Sequence, residues 1–422
     1  MHLNIENIGI VQSANINLDG LTVIAGLNDT GKSTIGKIIF SVIKSIQRYD
    51  DDLFCDNNDF RELMNVAFEV EEHINQDSER TKYIKELIPL LRERGSNKEI
   101  EKTIIFVQNT IDKVKLITPK KKELIERLNV LKSKLNQKKS INERIQQTLT
   151  KVLQNEFRGE INSKFNSKQG HIKLEKENKL ICKVSIKNNK LVDFEFNDDK
   201  KITDVTYIET PISFNYFLAF NHRILKEATF GEQGKLAFHI IDLLSKLQEA
   251  DSNNKTKLNV LDFLNDTTKT KVLKKQKKGI FEFNFSKLIG KKEFTFENIN
   301  TAIGIKSFSF IELLYRANKL NEDNLLIIDE PEVHLHPKWQ IEYAKLLVKL
   351  AESGLNILIT THSPYIIEAI NKFKDKSKIN EEISFYSTEK QNNHSVKFID
   401  KTKQINDISR ELSEPFETLL YD

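Results

Sequence analysis

LTVIAGLNDTGKST, from Leu21 to Thr34, combines three patterns that together predict the local fold. It opens with a short apolar run containing β-branched residues, which is typical of a buried strand. The run leads into the spacing G-x-x-x-x-G-K-S at Gly26, Gly31, Lys32 and Ser33. Beyond Ser33, apolar residues recur on one helical face: Ile35, Ile38, Ile39, Val42, Ile43 and Ile46. The segment therefore predicts a strand, a glycine loop and a helix in succession.

A glycine loop in this context is suited to binding phosphate. Gly26 and Gly31 let the backbone turn so that its N–H groups face phosphate oxygens, and the helix adds its positive N-terminus. We expect Lys32 to reach the β- and γ-phosphates of ATP and Ser33 to bind Mg²⁺. Thr34 is expected to contact the α-phosphate. The remaining loop residues are predicted to line the nucleotide as well: Asn28, Asp29 and Thr30.

A second stretch, LLIIDEPEVHLHPKW at 325–339, places carboxylates and histidines close together. Four apolar residues precede Asp329, so this residue is predicted to end a buried strand and to hold Mg²⁺ through water. Glu330 is the predicted general base that polarises the attacking water. Glu332, His334 and His336 also permit a metal-cage interpretation, although E-x-H-x-H differs from the H-E-x-x-H spacing of metallohydrolases.

The following stretch, LNILITTHSP at 355–364, predicts the next strand of the same sheet. A predicted helix, PKWQIEYAKLLVKLAESG, separates the two strands, and Gly354 stands where a helix C-cap is expected. Parallel strands joined by a crossover helix fit this pattern. His362 would then lie at the edge that carries Asp329, where it is predicted to sense the γ-phosphate and position the water.

Taken in order, GLNDTGKST, LLIIDEPEVHLHP and LITTHSP resemble the head of ABC-type ATPases, closest to the SMC- and OLD-like group. DEPEVHLHPKWQ in particular looks like the Walker B region of stand-alone prokaryotic AAA/OLD-type ATPases of antiphage and toxin-like systems. The resemblance covers residues 1–50 and 298–370. It implies that residues 26–34 are Walker A, Asp329 and Glu330 are Walker B, and His362 is the switch histidine.

The same resemblance implies a head-to-head dimer with two ATP molecules between the subunits. Each subunit would offer a signature segment to the other, here NTAIGIKSFSFIELL at 300–314. Gly304 and Lys306 fit that segment, but Ile303 stands where a serine would contact the γ-phosphate. An isoleucine side chain donates no hydrogen bond, so slow hydrolysis, or ATP used as a structural clamp, is an open alternative.

The predicted fold class is α/β: an ABC-type P-loop ATPase head with a mixed sheet, an antiparallel β-subdomain and a helical insertion. Residues 1–50 and 296–422 are predicted to form the two parts of the head. Residues 51–165 form a helical arm, in which Leu124, Leu128, Leu131 and Leu135 recur at four-three-four spacing. Residues 166–295 combine antiparallel strands with an exposed basic helical insertion around KTKVLKKQKKG (269–279).

The composition and charge distribution indicate the cellular location and the possible partners of the protein. No run of about 18 apolar residues is present, the start alternates like a strand, and the only cysteines are Cys55 and Cys182. We therefore expect a cytoplasmic protein without membrane contact. Residues 111–160 carry thirteen Lys or Arg against six Asp or Glu, and residues 255–292 eleven against three. These stretches either contact nucleic acid or form a solvated lysine-rich face.

Two functions remain open at this level. The first is an ATP-dependent sensor that switches a separate nuclease or toxin effector, as the resemblance to Septu- and PARIS-type antiphage systems implies. The segment after His362 is expected to contain two strands and a closing helix, with no room for a nuclease domain. The second is an SMC- or RecF-like DNA-repair or DNA-maintenance ATPase that binds duplex DNA through the basic stretches.

Overall fold

The computed structural model describes residues 1–49, 57–92, 97–114, 117–135, 140–166, 168–197, 204–209, 237–250, 260–277, 280–289 and 292–421. Cys55 lies outside these ranges, whereas Cys182 is buried with a free thiol. The chain divides into two compact units. One contains residues 1–44 and the described parts of 152–225 and 236–422, and the other contains the described parts of 45–151.

The described residues form fourteen strands and twelve α-helices. The strands are β1 (His2–Ile8), β2 (Val11–Asn17), β3 (Leu21–Ala25), β4 (Gly170–Lys176), β5 (Lys179–Lys187), β6 (Lys190–Phe196), β7 (Asp204–Ile208), β8 (Thr270–Lys277), β9 (Ile280–Ile289), β10 (Lys292–Glu297), β11 (Asn324–Asp329), β12 (Asn356–Thr361), β13 (Ile383–Lys390) and β14 (Val396–Asp400). The helices are α1 (Lys32–Arg48), α2 (Asn57–Glu72), α3 (Asp77–Arg92), α4 (Asn97–Lys113), α5 (Thr118–Leu135), α6 (Ile141–Phe157), α7 (Phe238–Gln248), α8 (Val260–Thr268), α9 (Ile303–Arg316), α10 (Pro337–Glu352), α11 (Pro364–Lys374) and α12 (Ile405–Tyr421).

A large mixed sheet organises the first unit. Its strand order is β6-β5-β4-β1-β2-β14-β13-β3-β12-β11-β7. The segment from β13 to β7 is parallel throughout, and the segment from β6 to β2 is antiparallel. Strands β3, β7 and β11 are buried along their whole length, as expected for parallel strands covered on both faces. This architecture confirms the predicted α/β class with a mixed sheet.

Helices cover both faces of the parallel strands. On one face, an apolar core joins the sheet to α7, α9, α10 and α11. On the other face lies α1, whose Gly36 approaches Tyr207 and Ile327 so closely that a Cβ there would be 2.6 Å from the tyrosine ring. All six apolar residues predicted for the inner face of α1 are buried. The glycine loop therefore joins the central strand to a tightly packed helix.

The start and the end of the chain differ in how closely they follow the predictions. The start of the chain, which alternates like a strand, forms the two antiparallel strands β1 and β2, because the chain reverses at Gly9 with a φ of +54°. The two predicted final strands and the closing helix are confirmed as β13, β14 and α12. Gly354 follows α10 with a φ of +92°, which confirms its predicted place at the helix end.

The prediction of an exposed basic helical insertion at residues 269–279 is wrong for the residues that the structure describes. Residues 270–277 form β8, which pairs with β9 in a three-stranded antiparallel sheet of order β10-β9-β8. Val272 on β8 is buried in the same core as the parallel sheet. Lys274 is anchored by two carbonyl oxygens, those of Gln248 and Ala250. Lys271 is therefore exposed on a strand whose neighbouring positions, Thr270 and Val272, are buried.

The second unit is helical, in line with the predicted arm. Helices α2 to α5 share a core that includes Val66, Ile104 and Leu128. Of the four leucines at four-three-four spacing, Leu124, Leu128 and Leu131 are buried, and the side chain of Leu135 is outside the described set. None of the helices that the structure describes is long and apolar enough to cross a membrane.

Candidate nucleotide-binding site

The phosphate-type loop follows β3 and ends where α1 begins at Lys32. Asp29 and Gly31 have φ angles of +59° and +80°, so the backbone curls around the loop interior. The Lys32 side chain is 4% exposed, and its Nζ donates hydrogen bonds to the carbonyl oxygens of Gly26 at 3.0 Å and Leu27 at 2.8 Å. Burial lowers the pKa of Lys32, and nearby carboxylates oppose that effect. The ammonium group is thus held at the centre of the loop.

Both loop glycines are required by close packing. A Cβ on Gly26 would lie 1.9 Å from the hydroxyl oxygen of Thr388 on β13. A Cβ on Gly31 would lie 2.6 Å from Ile10, at a backbone angle that L-residues rarely adopt. Between them, Asn28 and Asp29 are exposed, and the buried Thr30 hydroxyl donates to the carbonyl oxygen of Leu27. The loop keeps its shape through its own backbone and leaves its rim accessible.

Asp329 is the last residue of β11, and its carboxylate is surrounded by hydroxyl groups. Tyr207 donates to Oδ2 at 3.0 Å, and Thr360 donates to Oδ1. Burial raises the pKa of Asp329, while the hydrogen bonds from Thr360, Ser33 and Tyr207 act in the opposite direction. The two residues predicted to serve Mg²⁺, Ser33 and Asp329, therefore lie close enough for Ser33 to influence the pKa of Asp329.

Such a pair fits a magnesium ion by its chemistry. Mg²⁺ prefers hard oxygen ligands, commonly one or two protein groups together with water and phosphate oxygens. The Ser33 hydroxyl and the Asp329 carboxylate supply oxygen only, at the N-terminus of α1, where a nucleotide phosphate would lie. Within the described residues, no group of three His, Cys, Asp or Glu side chains has the arrangement of a metal site.

Glu330 leaves the strand with a φ of +48°. This left-handed conformation is unusual for a glutamate, and it is held by a hydrogen bond from the Glu330 N–H to the carbonyl oxygen of Thr360 at 3.0 Å. The carboxylate lies 3.8 Å from Lys32 Nζ and 3.5 Å from His362 Nδ1, with the side chain 30% exposed. The predicted general base is thus directed toward the loop lysine and remains accessible to water.

His362 follows β12 directly, and the sheet register brings it to the same edge. Asp329 pairs with Thr360 and Thr361 pairs with Ala25, so the carboxyl ends of β3, β12 and β11 are aligned. The imidazole is 41% exposed, and its Nδ1 faces Glu330. Lys32, Ser33, Asp329, Glu330 and His362, which are far apart in the sequence, therefore meet at one edge of the sheet.

Two residues of this region were not assigned a role from the sequence. Tyr207 on β7 is fully buried and contacts Asp329, and Glu332 contacts His362. The signal for Tyr207 was a tyrosine inside a short strand with β-branched residues, DVTYI. The signal for Glu332 was a third carboxylate beside the predicted pair. Neither signal identifies its partner, because the partner lies on another element.

The signature-like segment begins helix α9 at Ile303. A Cβ on Gly304 would lie 3.0 Å from the ring of Trp339, so this glycine permits close packing against α10. Lys306 is 2% exposed, and burial lowers its pKa. The Thr301 hydroxyl donates to the carbonyl oxygen of Glu297 at 3.0 Å. The role of Gly304 and Lys306 toward a nucleotide on a partner subunit stays a prediction.

His334 and His336 do not converge with the carboxylates. His336 is the N-cap of α10, where its Nδ1 accepts a hydrogen bond from the Lys338 N–H at 3.3 Å. His334 is exposed and has a φ of +66°. The metal-cage interpretation of this stretch is therefore not supported by the geometry.

Comparison with known proteins agrees with this site. A family model described as the AAA ATPase domain matches residues 1–367, well over half of the chain. The SMC head domain from Thermotoga maritima is similar at 10% identity, with 94% of this chain and 97% of that chain covered and a TM-score of 0.37. The Smc head domain with a coiled coil and joint from Pyrococcus yayanosii is similar at 10% identity, with 97% and 98% covered and a TM-score of 0.38. With its phosphate loop inside the matched region, this chain belongs to the AAA ATPase domain family.

Proposed function

We propose that this protein binds ATP at residues 26–34 and hydrolyses it to ADP and phosphate. The observation that carries the proposal is the convergence of Lys32, Glu330 and His362 with the Ser33–Asp329 pair at one sheet edge. Phosphoryl transfer to water requires a cation for the phosphates, a metal-holding carboxylate and a group that orients the water. Each of these requirements has a residue of suitable chemistry at this edge.

Binding of the triphosphate begins with Lys32. Its ammonium donates to two neutral carbonyl oxygens of the loop, and a charged phosphate oxygen is a stronger acceptor than either. We therefore expect Lys32 to donate to the β- and γ-phosphates when ATP is bound. Loop N–H groups, the N-terminus of α1 and Thr34 complete the contacts to phosphate, and Asn28, Asp29 and Thr30 border them.

Ser33 and Asp329 would hold Mg²⁺ beside the phosphates. When bound, the ion neutralises negative charge on the phosphate oxygens. The protein's own contribution is to fix the carboxylate of Asp329, which Tyr207 and Thr360 restrain from two sides. A carboxylate that is already oriented loses little further freedom when the metal binds.

Glu330 is the group that takes up the proton of the attacking water. Its carboxylate is partly exposed, whereas that of Asp329 is buried, so the adjacent acids have separate roles. His362 Nδ1 lies 3.5 Å from Glu330, and we expect this histidine to contact the water and the γ-phosphate. Lys32, 3.8 Å from Glu330, keeps a positive charge beside the carboxylate.

We further propose that two heads close on ATP as in the SMC- and OLD-like ATPases that the sequence resembles. The partner subunit would then present the start of α9, with Gly304 and Lys306, to the nucleotide. Ile303 offers only its backbone N–H at that helix start, where a serine hydroxyl would add a hydrogen bond. We therefore expect slow hydrolysis and a long-lived ATP-bound dimer.

A pair of lysine substitutions on α1 tests the assignment of the site. Lys32→Ala should abolish ATP binding measured with a fluorescent analogue. Lys37→Ala, a half-buried lysine on the same helix that pairs with Glu209, is the matched control and should leave binding nearly unchanged. Equal loss in both variants, or full binding by Lys32→Ala, would mean that the nucleotide is held elsewhere.

Substituting the proposed base tests the dimer. Glu330→Gln should retain ATP and shift the protein to a dimer on size exclusion with light scattering, since the bound nucleotide is no longer consumed. Addition of ADP should leave the same variant monomeric. If ATP does not change the assembly state of Glu330→Gln, the closure of two heads on ATP is refuted.

The wider role that we propose is that of a sensor in antiphage defence, which switches a separate nuclease or toxin effector. What supports it is the resemblance of DEPEVHLHPKWQ to ATPases of those systems. Co-expression with the product of the neighbouring gene should give a complex whose effector activity depends on ATP. The alternative, a DNA-maintenance ATPase, predicts instead that the protein alone binds duplex DNA with a steep dependence on salt.

A further inference from the structure

Glu332 occupies a position between the ends of β11 and β12 that the proposed reaction leaves without a role. The side chain is 5% exposed. Its Oε1 accepts a hydrogen bond from the Thr361 hydroxyl at 2.7 Å and another from the His362 N–H at 2.6 Å. One carboxylate oxygen therefore holds the two residues at which β12 ends and the switch segment begins.

The same carboxylate faces the ring of His362. The Nδ1 atom lies 3.2 Å from Glu332 Oε1, closer than the 3.5 Å that separates it from Glu330 Oε1. The other oxygen, Oε2, and the Nδ1 atom itself are both buried, and neither has a hydrogen-bond partner among the described residues. The carboxylate oxygens at 3.2 and 3.5 Å are therefore the acceptors nearest to an unpaired ring nitrogen.

This geometry favours one of the two tautomers of the ring. Ionised carboxylates only accept hydrogen bonds, so a proton on the imidazole nitrogen that faces Glu332 and Glu330 is the arrangement that both neighbours stabilise. A proton on Nδ1 leaves Nε2 as the nitrogen on the accessible side of a ring that is 41% exposed. The hydrogen bond made by one ring nitrogen thus sets the chemistry of the other.

Resting on the proposed ATP hydrolysis, we propose that Glu332 is a positioning residue for His362: it fixes the ring, keeps Nδ1 protonated and presents Nε2 to the nucleotide. Glu332 itself does not touch the substrate. Its other two contacts, to Thr361 and to the His362 backbone, hold the segment that carries the ring. This assignment gives the third carboxylate of DEPE a function distinct from those of Asp329 and Glu330.

The substitution Glu332→Gln tests the role of the negative charge, because glutamine has nearly the same shape as glutamate but is neutral. The amide oxygen of glutamine still accepts from the Thr361 hydroxyl and the His362 N–H, but the negative charge beside Nδ1 is lost. The matched control is Glu312→Gln, which removes a carboxylate that is 4% exposed on α9 and pairs with Arg316. Comparing the two variants distinguishes the loss of any buried charge from the loss of this one.

The decisive readout is the ¹⁵N NMR spectrum of the full chain labelled at histidine, with the His362 signals identified by their absence in His362→Gln. Wild-type His362 should show a protonated Nδ1 and an unprotonated Nε2 when the ring is neutral. Glu332→Gln should shift the signals toward the Nε2-protonated tautomer, and Glu312→Gln should not. An Nε2-protonated tautomer in the wild-type protein would overturn the proposal even if the variant failed to fold.

Kinetics provide a second and separate readout. Glu332→Gln should lower kcat about ten- to a hundredfold, as observed when a group that orients a functional residue is removed, with the KM for ATP nearly unchanged. An unchanged kcat together with an unchanged tautomer would refute the role of Glu332. Absence of hydrolysis in the wild-type protein would refute the proposed function alone, since the tautomer is measured without turnover.

Discussion

Deprotonation of His239 is expected to destabilise the unit that contains the sheet by about 3 kcal/mol. This histidine is 1% exposed at the start of α7, with Nδ1 2.7 Å from Glu156 Oε2 and Nε2 3.2 Å from Glu209 Oε2. Burial lowers its pKa, but the hydrogen bonds and charges of the two glutamates outweigh burial and raise it to about 9. Both ring nitrogens face a carboxylate, which is the geometry of an imidazolium ion.

The sign and the pH range follow from the direction of the two shifts. A pKa raised from the ordinary 6.5 to about 9 contributes its full stability below pH 6.5 and loses it as the pH rises through 9. The shift, roughly 2.5 units at about 1.36 kcal/mol each, gives the ~3 kcal/mol. The hydrogen bond from His239 lowers the pKa of Glu209 from 4.5 to about 2, so that contribution is lost as the pH falls through 2. Both shifts include the interaction between His239 and Glu209, so the two contributions are not additive.

Equilibrium urea unfolding at about pH 6 and about pH 9.5 measures this contribution in the wild-type protein, in His239→Gln and in the control His171→Gln. The wild-type protein and His239→Gln differ in their free energy of unfolding, and this difference should decrease by about 3 kcal/mol as the pH rises from the lower to the higher value. The control replaces a partly buried histidine that contacts Ser185, and its difference should stay constant. Parallel pH dependences of the wild-type protein and His239→Gln would show that His239 is not a cation in the folded state.

Three further predictions concern the site and its surroundings. Tyr207→Phe removes a hydrogen-bond donor to the buried Asp329, worth about 1.5–3 kcal/mol, and a magnesium titration of nucleotide binding should show at least a tenfold higher half-saturation point. Gly26→Ala places a Cβ 1.9 Å from the Thr388 hydroxyl and should abolish ATP binding, part of which returns when Thr388→Gly is added. His336→Ala should cost about 0.5–1 kcal/mol through the lost cap, seen in melting, and leave ATP hydrolysis insensitive to zinc chelation.

The parts of the site that were predictable are those whose chemistry is local in the sequence. Gly26 to Ser33 carry their own geometry, because the glycines, the lysine and the helix start are consecutive. Asp329 and His362 were identified because each ends an apolar run, and parallel strands bring such ends to one edge. The contact between these two regions could therefore be predicted from the ends of the two strands alone.

The network behind Asp329 could not be predicted in this way. The Tyr207 hydroxyl contacts Asp329, and its ring centre lies 4.6 Å from that of His239. His239 in turn contacts Glu156 on α6 and Glu209 beyond β7. These side chains come from separate elements, and the residues next to each of them in the sequence form no motif that would indicate a contact. Only packing makes them partners, because burial of one charged group requires the others.

The prediction for the basic segment at 269–279 was wrong for a related reason. Its many lysines indicate that the segment is exposed to solvent, and exposed lysines are compatible with a helix, a loop or one side of a strand. Val272 is the residue that decides among these structures, and it is buried opposite Phe285 on β9. A single apolar side chain carries little periodic signal, so the pairing with β9 was needed to define the strand.

The stretch DEPEVHLHP shows why a cluster of ligands in the sequence need not be one in space. A metal cage needs side chains that converge, but here the backbone takes positive φ values at Glu330 and His334 and the side chains diverge. His336 caps the helix that follows, and Glu332 turns inward to His362, which lies thirty residues further along the chain. The histidine that joins these carboxylates is therefore the one at the end of the neighbouring parallel strand. Convergence in an open α/β sheet follows strand order, and a search for ligands should scan strand ends before it scans adjacent positions.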